Sequence, residues 1–133
     1  GAFGIAVTEL TAIGRGEWPA VTMIVFRNYQ WGAEKRNSTL WYEDNFVGTE
    51  LDTQVSYAGI AQACGLQGVQ AHTMDDLRDA LNKAVEDQMK HGKTTLIEAM
   101  INQELGEPFR RDAMKKPVAV AGISASDMRP QTV

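Results

Sequence analysis

Two apolar runs of strand length, with helical patterns between them, most constrain the fold of this chain. Residues 20–26 read AVTMIVF and residues 94–101 read TTLIEAMI, and neither run alternates between apolar and polar side chains. An unbroken apolar run of this length is typical of a parallel strand that is covered on both faces. The pattern therefore predicts an α/β fold, in which helices flank a parallel sheet and the crossovers are right-handed.

The strongest helical signal lies between these runs, over residues 74–91. Thr73 and Asp76 have the spacing of a capping box, and Gly92 follows a basic last turn. The stripe expected to face the core is mostly apolar and consists of Met74, Leu77, Leu81, Ala84, Val85, Gln88 and Met89.

Weaker signals predict the remaining elements. A first helix is expected to begin at or just after a turn at Gly1–Gly4 and to end at Gly14. A short helix over residues 57–64 and a brief strand over residues 69–71 follow later in the chain. Residues 31–51 show no clear period, so an irregular, structured excursion is expected there.

Composition narrows the possible partners and compartment. The formal net charge is -4 and the basic residues form no long stripe, so the chain has no nucleic-acid signature. No apolar run approaches the roughly 18 residues of a membrane span, and no secretory signal is visible. Cys64 is the single cysteine, which excludes an internal disulfide and favours the cytoplasm.

The ends of the chain suggest a piece of a longer protein. The sequence opens at Gly1 without an initiating Met, directly before a helical pattern. After about residue 104 the periodicity is lost in a proline-containing tail. We therefore expect residues 1–104 to form the structured domain and residues 105–133 to form a C-terminal tail.

Asn28 and the opening glycines are the residues whose positions suggest ligand chemistry. Asn28 follows the first apolar run, and ligands of open parallel sheets bind at the carboxyl ends of the strands. A helix that begins near Gly1–Gly4 would present backbone N–H groups to a phosphate. The oxygens of an asparagine side chain and of a backbone carbonyl suit Mg²⁺. Taken alone, Asn28 is also a common turn former.

The distance between these features resembles the cofactor motif of thiamine diphosphate-dependent enzymes. Gly1 would be the last glycine of a Gly-Asp-Gly motif, and Asn28 would close the motif at a strand end. The resemblance implies that thiamine diphosphate and Mg²⁺ are the cofactors, and that the metal ligands are the Asn28 side chain and the Gln30 backbone carbonyl. The motif Asp would precede Gly1 and is absent. The implied cofactor-binding residues are Gly1, Ala2, Phe3, Gly4, Asn28, Gln30, Trp31 and Gly32.

Longer segments resemble one branch of that family, the sulfoacetaldehyde acetyltransferases. Five segments of this chain occur in the same order as the similar segments of those enzymes: GAFGIAVTEL, FRNYQWGAEKRN, FVGTEL, GKTTLIEAM and ELGEPFRRDAMKKPV. The resemblance implies conversion of sulfoacetaldehyde and phosphate to acetyl phosphate and sulfite, by a homo-oligomer that is a dimer or a tetramer. An activating Glu would come from another domain, so this chain alone is expected to be inactive. An acetolactate synthase-like enzyme, a decarboxylase and a non-catalytic α/β oligomerisation module are the alternatives.

Arg110 and Arg111 form a basic pair in the predicted tail. A guanidinium pair is well shaped to hold a sulfonate or phosphate. A solvated or interface patch is the alternative, and the sequence does not decide between these roles. Cys64 is expected to be a small core residue. His72 and His91 lack the spacing of metal ligands, and we expect them to face solvent or to complement a helix dipole.

Overall fold

The computed structural model describes residues 1–105. The predicted tail after residue 105, with Arg110 and Arg111, lies outside the described residues, and the boundary at residue 104 stays a prediction. Two compact units divide the chain. The first comprises residues 1–29 and 52–102, and the described part of the second comprises residues 30–51 and 103–105.

A three-stranded parallel sheet forms the centre of the first unit and confirms the predicted α/β class. Its strands are β1 (Thr22–Arg27), β2 (Gln67–Ala71) and β3 (Thr95–Met100), in the order β1-β3-β2. The central strand β3 is buried along nearly its whole length. Glu98 of β3 therefore lies inside the sheet, in register with Val25 on one side and Gln70 on the other.

The first helical segment begins earlier than the sequence predicted. Helix α1 spans Ala2–Ala6, a 3-10 turn spans Val7–Glu9, and helix α2 spans Leu10–Ile13. The expected turn at Gly1–Gly4 is thus wrong, because residues 2–4 already belong to α1. Gly14 ends α2 as predicted, and its lack of a side chain is required, since a Cβ there would lie 2.7 Å from the Cys64 carbonyl oxygen.

Helices α4 (Tyr57–Ala63) and α5 (Met74–His91) occur where the sequence predicted them. Thr73 and Asp76 form both bonds of the capping box at the start of α5. Gly92 ends α5 in the left-handed conformation, with a φ of 61°. Helix α4 packs closely on β2, because a Cβ added to Gly68 would lie 2.1 Å from the Ala58 carbonyl oxygen.

Two small clusters of buried side chains hold the helices on the sheet. One cluster contains Leu10, Ala61, Leu66 and Leu96 and joins α2 and α4 to β3. The other contains Ala71, Ala84 and Ile97 and joins α5 to β2 and β3. Since Leu96 and Ile97 are neighbours in β3, they point to opposite faces of the sheet, and each face therefore has its own cluster.

The prediction that the first apolar strand is covered on both faces is wrong for β1. Ile24 is 40% exposed and Phe26 is 66% exposed. Most of the predicted core stripe of α5 is exposed as well: Met74, Leu81, Val85 and Met89. The helix packs instead through Leu77, Ala80 and Ala84. β1 is an edge of the described sheet, and α5 reaches this face of it only near its start, where the Thr22 hydroxyl donates to the Gln88 side chain at 2.8 Å.

The second unit contains a helix that the sequence analysis missed. Helix α3 spans Gly32–Trp41, so the segment expected to be irregular is helical in its first half. The expected Trp31-Gly32 turn is the start of this helix, with Trp31 at its N-cap. The Trp31 N–H donates to the Thr49 carbonyl at 2.7 Å.

Helix α3 is tied to the rest of its unit through Glu50. Lys35 forms an ion pair with Glu50, and the Gln103 side-chain amide donates to the same carboxylate at 3.0 Å. The hydrogen bond from Lys35 is the largest influence on this group and holds the pKa of Glu50 below its usual value. Within residues 1–105, no helix is long and apolar enough to cross a membrane.

Candidate functional site

Asn28 occupies the position that the sequence predicted, directly after the last residue of β1. Its side chain is half-buried at the carboxyl end of the parallel sheet. The next residue, Tyr29, has a φ of 55°, in the left-handed region that non-glycine residues seldom adopt. The backbone therefore turns sharply just after Asn28.

The start of α1 offers backbone donors. Gly1 is the N-cap, and the Ile5 N–H donates to the Gly1 carbonyl at 3.3 Å. The N–H groups of residues 2–4 precede the first intrahelical bond, as at any helix start. A Cβ added to Gly4 would meet nothing within 4 Å, so the protein leaves open space there. These residues can therefore approach an anion such as a diphosphate.

A buried ion pair adjoins Asn28 and was not predicted. Arg27 is 2% exposed and Glu98 is 0% exposed, and the Arg27 Nε lies 3.8 Å from a Glu98 carboxylate oxygen. Arg27 also donates from one terminal nitrogen to the Asp52 carbonyl at 2.7 Å and to the Val55 carbonyl at 3.1 Å. The side chain therefore fastens residues 52–55 to the end of β1.

Glu98 is surrounded by hydrogen-bond donors. One of its carboxylate oxygens accepts from the Ala58 N–H at 3.0 Å, from the Gln70 amide at 3.1 Å and from the Ser56 hydroxyl at 3.3 Å. Burial by itself raises the pKa of Glu98. The hydrogen bonds from Ala58, Gln70 and Tyr57, together with Arg27, outweigh burial and hold that pKa below its ordinary value. The group is therefore a buried carboxylate anion at neutral pH.

Aromatic rings complete the surroundings of Arg27. The guanidinium carbon lies 3.9 Å from the ring centroid of Tyr57 and 4.7 Å from that of Tyr29. The Tyr57 ring in turn contacts the Phe3 ring, with 4.4 Å between centroids. We call the four side chains of Phe3, Tyr57, Arg27 and Tyr29 the Arg27 stack. It runs from helix α1 to the residues on either side of Asn28.

The sequence contained one signal for this cluster. Arg27 and Glu98 are the only charged residues in β1 and β3, and a charged residue in a buried strand usually has a partner. That signal would have identified Arg27 and Glu98 as a buried ion pair. It would not have identified Tyr57 or Phe3, because their positions depend on how the helices fold back on the sheet.

The other residues of the predicted site lie in the second unit. The side chain of Gln30 is buried and its amide donates to the Gln103 carbonyl at 2.8 Å. Trp31 and Gly32 are half-buried at the start of α3. Their predicted cofactor contacts stay predictions.

Among residues 1–105, no group of three or more His, Cys, Asp or Glu side chains is arranged to hold a metal ion. Cys64 is a half-buried thiol in the C-cap position of α4, next to the core cluster of Leu10 and Leu66. The described part of the chain can therefore supply neutral oxygens to a metal, such as that of Asn28, but no carboxylate cluster.

Comparison with known protein families decides what this arrangement belongs to. Residues 1–99 match the family described as thiamine pyrophosphate enzyme, C-terminal TPP binding domain. This match covers well over half of the chain. The chain belongs to the thiamine pyrophosphate enzyme family. Thiamine pyrophosphate is the thiamine diphosphate of the sequence analysis, so the predicted family and the predicted fold class are confirmed.

Several curated members of this family are very similar to the chain. It is 82% identical, over all 133 residues, to the sulfoacetaldehyde acetyltransferase of Roseovarius nubinhibens. It is 81% identical over 131 residues to the enzyme of that name from Rhodobacter capsulatus, and 48% identical over 118 residues to that of Castellaniella defragrans. The chain spans 22% of the length of the first two of these relatives.

The first unit fits part of the family's cofactor. Exposed N–H groups at the start of a helix suit a diphosphate, and the neutral oxygen of Asn28 is of a kind that could bind a divalent cation. Both features lie in the first unit, and the Arg27 stack runs between them.

Proposed function

We propose that this chain is the C-terminal part of a thiamine diphosphate-dependent acetyltransferase, which converts sulfoacetaldehyde and phosphate to acetyl phosphate and sulfite. The observation that carries the proposal is the 82% identity, over the whole chain, to a protein named sulfoacetaldehyde acetyltransferase. The family match over residues 1–99 supports the cofactor. The wider proposal includes Mg²⁺, a homo-oligomer and a cytoplasmic location.

The residues of this chain would hold the charged end of the cofactor. The N–H groups at the start of α1, within Gly1–Gly4, would donate to the diphosphate. The Asn28 side-chain oxygen and the Gln30 backbone carbonyl would be ligands of Mg²⁺, with Trp31 and Gly32 beside the cofactor. A divalent cation offsets the negative charge of a diphosphate, and hydrogen bonds to the phosphate oxygens hold the cofactor in position for reaction.

When bound, the cofactor would accept and then return an electron pair at the carbonyl carbon of the substrate, so that sulfite can leave from the neighbouring carbon with the electrons of the carbon–sulfur bond. The described residues of this chain would contribute binding and orientation. The group that activates the aminopyrimidine and the carboxylate ligand of the metal would come from other parts of the protein. We therefore expect no turnover by residues 1–133 alone.

The test uses the full-length protein that contains this chain. With sulfoacetaldehyde, phosphate, Mg²⁺ and thiamine diphosphate, sulfite and acetyl phosphate should form in equal amounts. The reaction should stop when phosphate or the cofactor is omitted. Acetolactate formed from pyruvate, without sulfite release from sulfoacetaldehyde, would show instead that the acetolactate synthase-like alternative is correct.

A pair of asparagine variants tests the assignment of the metal ligand. Asn28→Ala should weaken Mg²⁺-dependent cofactor binding sharply, because one position of a near-octahedral ion loses its ligand. Asn37→Ala is the matched control, since Asn37 is exposed on α3. Binding is measured by titration of the full-length apoprotein with thiamine diphosphate at fixed Mg²⁺. Equal affinities for the two variants would rule out Asn28 as a ligand.

A further inference from the structure

The two features that fit the cofactor in the first unit are joined by a continuous line of side chains. Phe3 lies within α1, whose first N–H groups are the proposed diphosphate donors. Its ring contacts Tyr57, and the Tyr57 ring contacts the Arg27 guanidinium at 3.9 Å. Arg27 immediately precedes Asn28. Tyr57 therefore lies in the middle of this line, in contact with Phe3 of α1 and with Arg27 of β1.

The β1 end of the line is held firmly. The Arg27 side chain is almost fully buried, pairs with Glu98 and donates to the carbonyls of Asp52 and Val55. A guanidinium with partners on several sides cannot slide along the ring that it covers. Its position is fixed by β3 and by residues 52–55, and the stack transmits that position to the ring of Tyr57.

The backbone after Asn28 needs support from side chains. Tyr29 has a φ of 55°, a conformation that is disfavoured for a residue with a Cβ and persists only where the surroundings enforce it. The Tyr29 ring packs on the Arg27 guanidinium, and its hydroxyl lies 4.0 Å from the Met100 sulfur. The contact with Arg27 therefore helps to hold the turn that follows Asn28.

We propose that Tyr57 is a positioning residue for the cofactor, and that it sets the start of α1 relative to Asn28 through the Arg27 stack. The inference rests on the proposed function, since it assumes that the diphosphate binds at α1 and that the metal binds at Asn28. Tyr57 itself touches neither group in this role. It acts through Phe3 on one side and through Arg27 on the other.

The experiment compares Tyr57→Leu with Tyr57→Phe in the full-length apoprotein. Thiamine diphosphate is titrated at saturating Mg²⁺, and the dissociation constant is read from tryptophan fluorescence or calorimetry. Tyr57→Phe keeps both ring contacts and should bind as the wild type does. Tyr57→Leu loses a buried cation–π contact and an aromatic pair, so its dissociation constant should rise by about tenfold to a hundredfold. Phe3→Leu, which interrupts only the aromatic pair, should show a smaller rise.

A matched control separates positioning from general loss of stability. Leu77→Ala removes a side chain that packs on the other face of the sheet, in the cluster of Ala71, Ala84 and Ile97. It should lower the Tm and leave the dissociation constant unchanged. The inference is overturned if Tyr57→Leu binds like the wild type, or if Leu77→Ala weakens binding as much as Tyr57→Leu. Absence of binding by the wild type would overturn the proposed function itself, and the inference with it.

Discussion

Removal of the cation from the buried Arg27–Glu98 pair should be one of the most destabilising single changes in the first unit. Arg27→Met leaves the Glu98 carboxylate 0% exposed and without its cation. Breaking a buried pair from one side costs about 3–5 kcal/mol, because the remaining charge stays desolvated. Because both side chains are almost fully buried, solvent does not screen their interaction, and the full cost of breaking a buried pair applies. We expect a loss in this range in the free energy of opening of the sheet.

The companion change, Glu98→Gln, should cost less. The glutamine can still accept from the Ala58 N–H, and Arg27 keeps the carbonyls of Asp52 and Val55 as partners. One charge-assisted interaction is lost, which is worth about 1.5–3 kcal/mol. In the double variant no unpaired charge is left behind. Its total loss should therefore be smaller than the sum of the single losses, by about 1–3 kcal/mol.

Native-state hydrogen exchange of the β3 amides in the full-length protein measures these opening free energies locally. The wild type, both single variants and the double variant form a complete cycle. Losses that add to within about 0.5 kcal/mol would show that the two charges do not interact, and would refute the reasoning.

Three other changes test separate parts of the fold. Gly68→Ala places a Cβ 2.1 Å from the Ala58 carbonyl oxygen, so α4 must shift away from β2. We expect the free energy of unfolding, measured by thermal denaturation, to fall by about 1–3 kcal/mol. The control Gly16→Ala, at an exposed position, should cause no such fall. Hydrogen bonds from the backbone of His72 and from Thr73 hold the pKa of Asp76 below its usual value. The stabilisation of α5 by Asp76 should therefore be complete above about pH 3.9 and be lost as the pH falls further. It is measured as the difference in hydrogen-exchange protection of the α5 amides between the wild type and Asp76→Ala. Phe26→Ser should raise the solubility of the isolated 133-residue chain in sedimentation assays, because Phe26 is 66% exposed at the sheet edge, and unchanged solubility would contradict this.

Elements with local signals could be predicted from the sequence, and α5 shows why. Its capping box and its left-handed Gly92 are determined by residues within the helix and at its ends. Helix α3 carries no such signal, since its N-cap Trp31 offers no side-chain acceptor. Its residues include Gly32 and Asn37, which are weak helix formers. The helix is stabilised by Lys35 and Glu50, a pair that becomes visible only after folding.

The candidate site divides in the same way. The position of Asn28 could be predicted because a polar residue at the end of an apolar strand is a sequence pattern, whereas its role as a metal ligand stays a prediction. The exposed faces of Ile24 and Met89 could not be predicted, because apolar character does not reveal what covers a residue. The contacts of Tyr57 with Phe3 and Arg27 join three distant segments of the chain, and no local pattern encodes such a meeting.

The hydrogen bonds of Glu98 also bear on the order in which the chain folds. Helix α4 has one local cap, the Ser56 hydroxyl, which accepts from the Gly59 N–H. The Ala58 N–H gains its acceptor only when Glu98, which lies 40 residues later in the sequence, has packed beside α4. Closing a loop of this size costs entropy before the contact forms, whereas α5 nucleates from its own capping box. We expect α5 to gain amide protection early in refolding, and the first turn of α4 to gain it only when β3 enters the sheet.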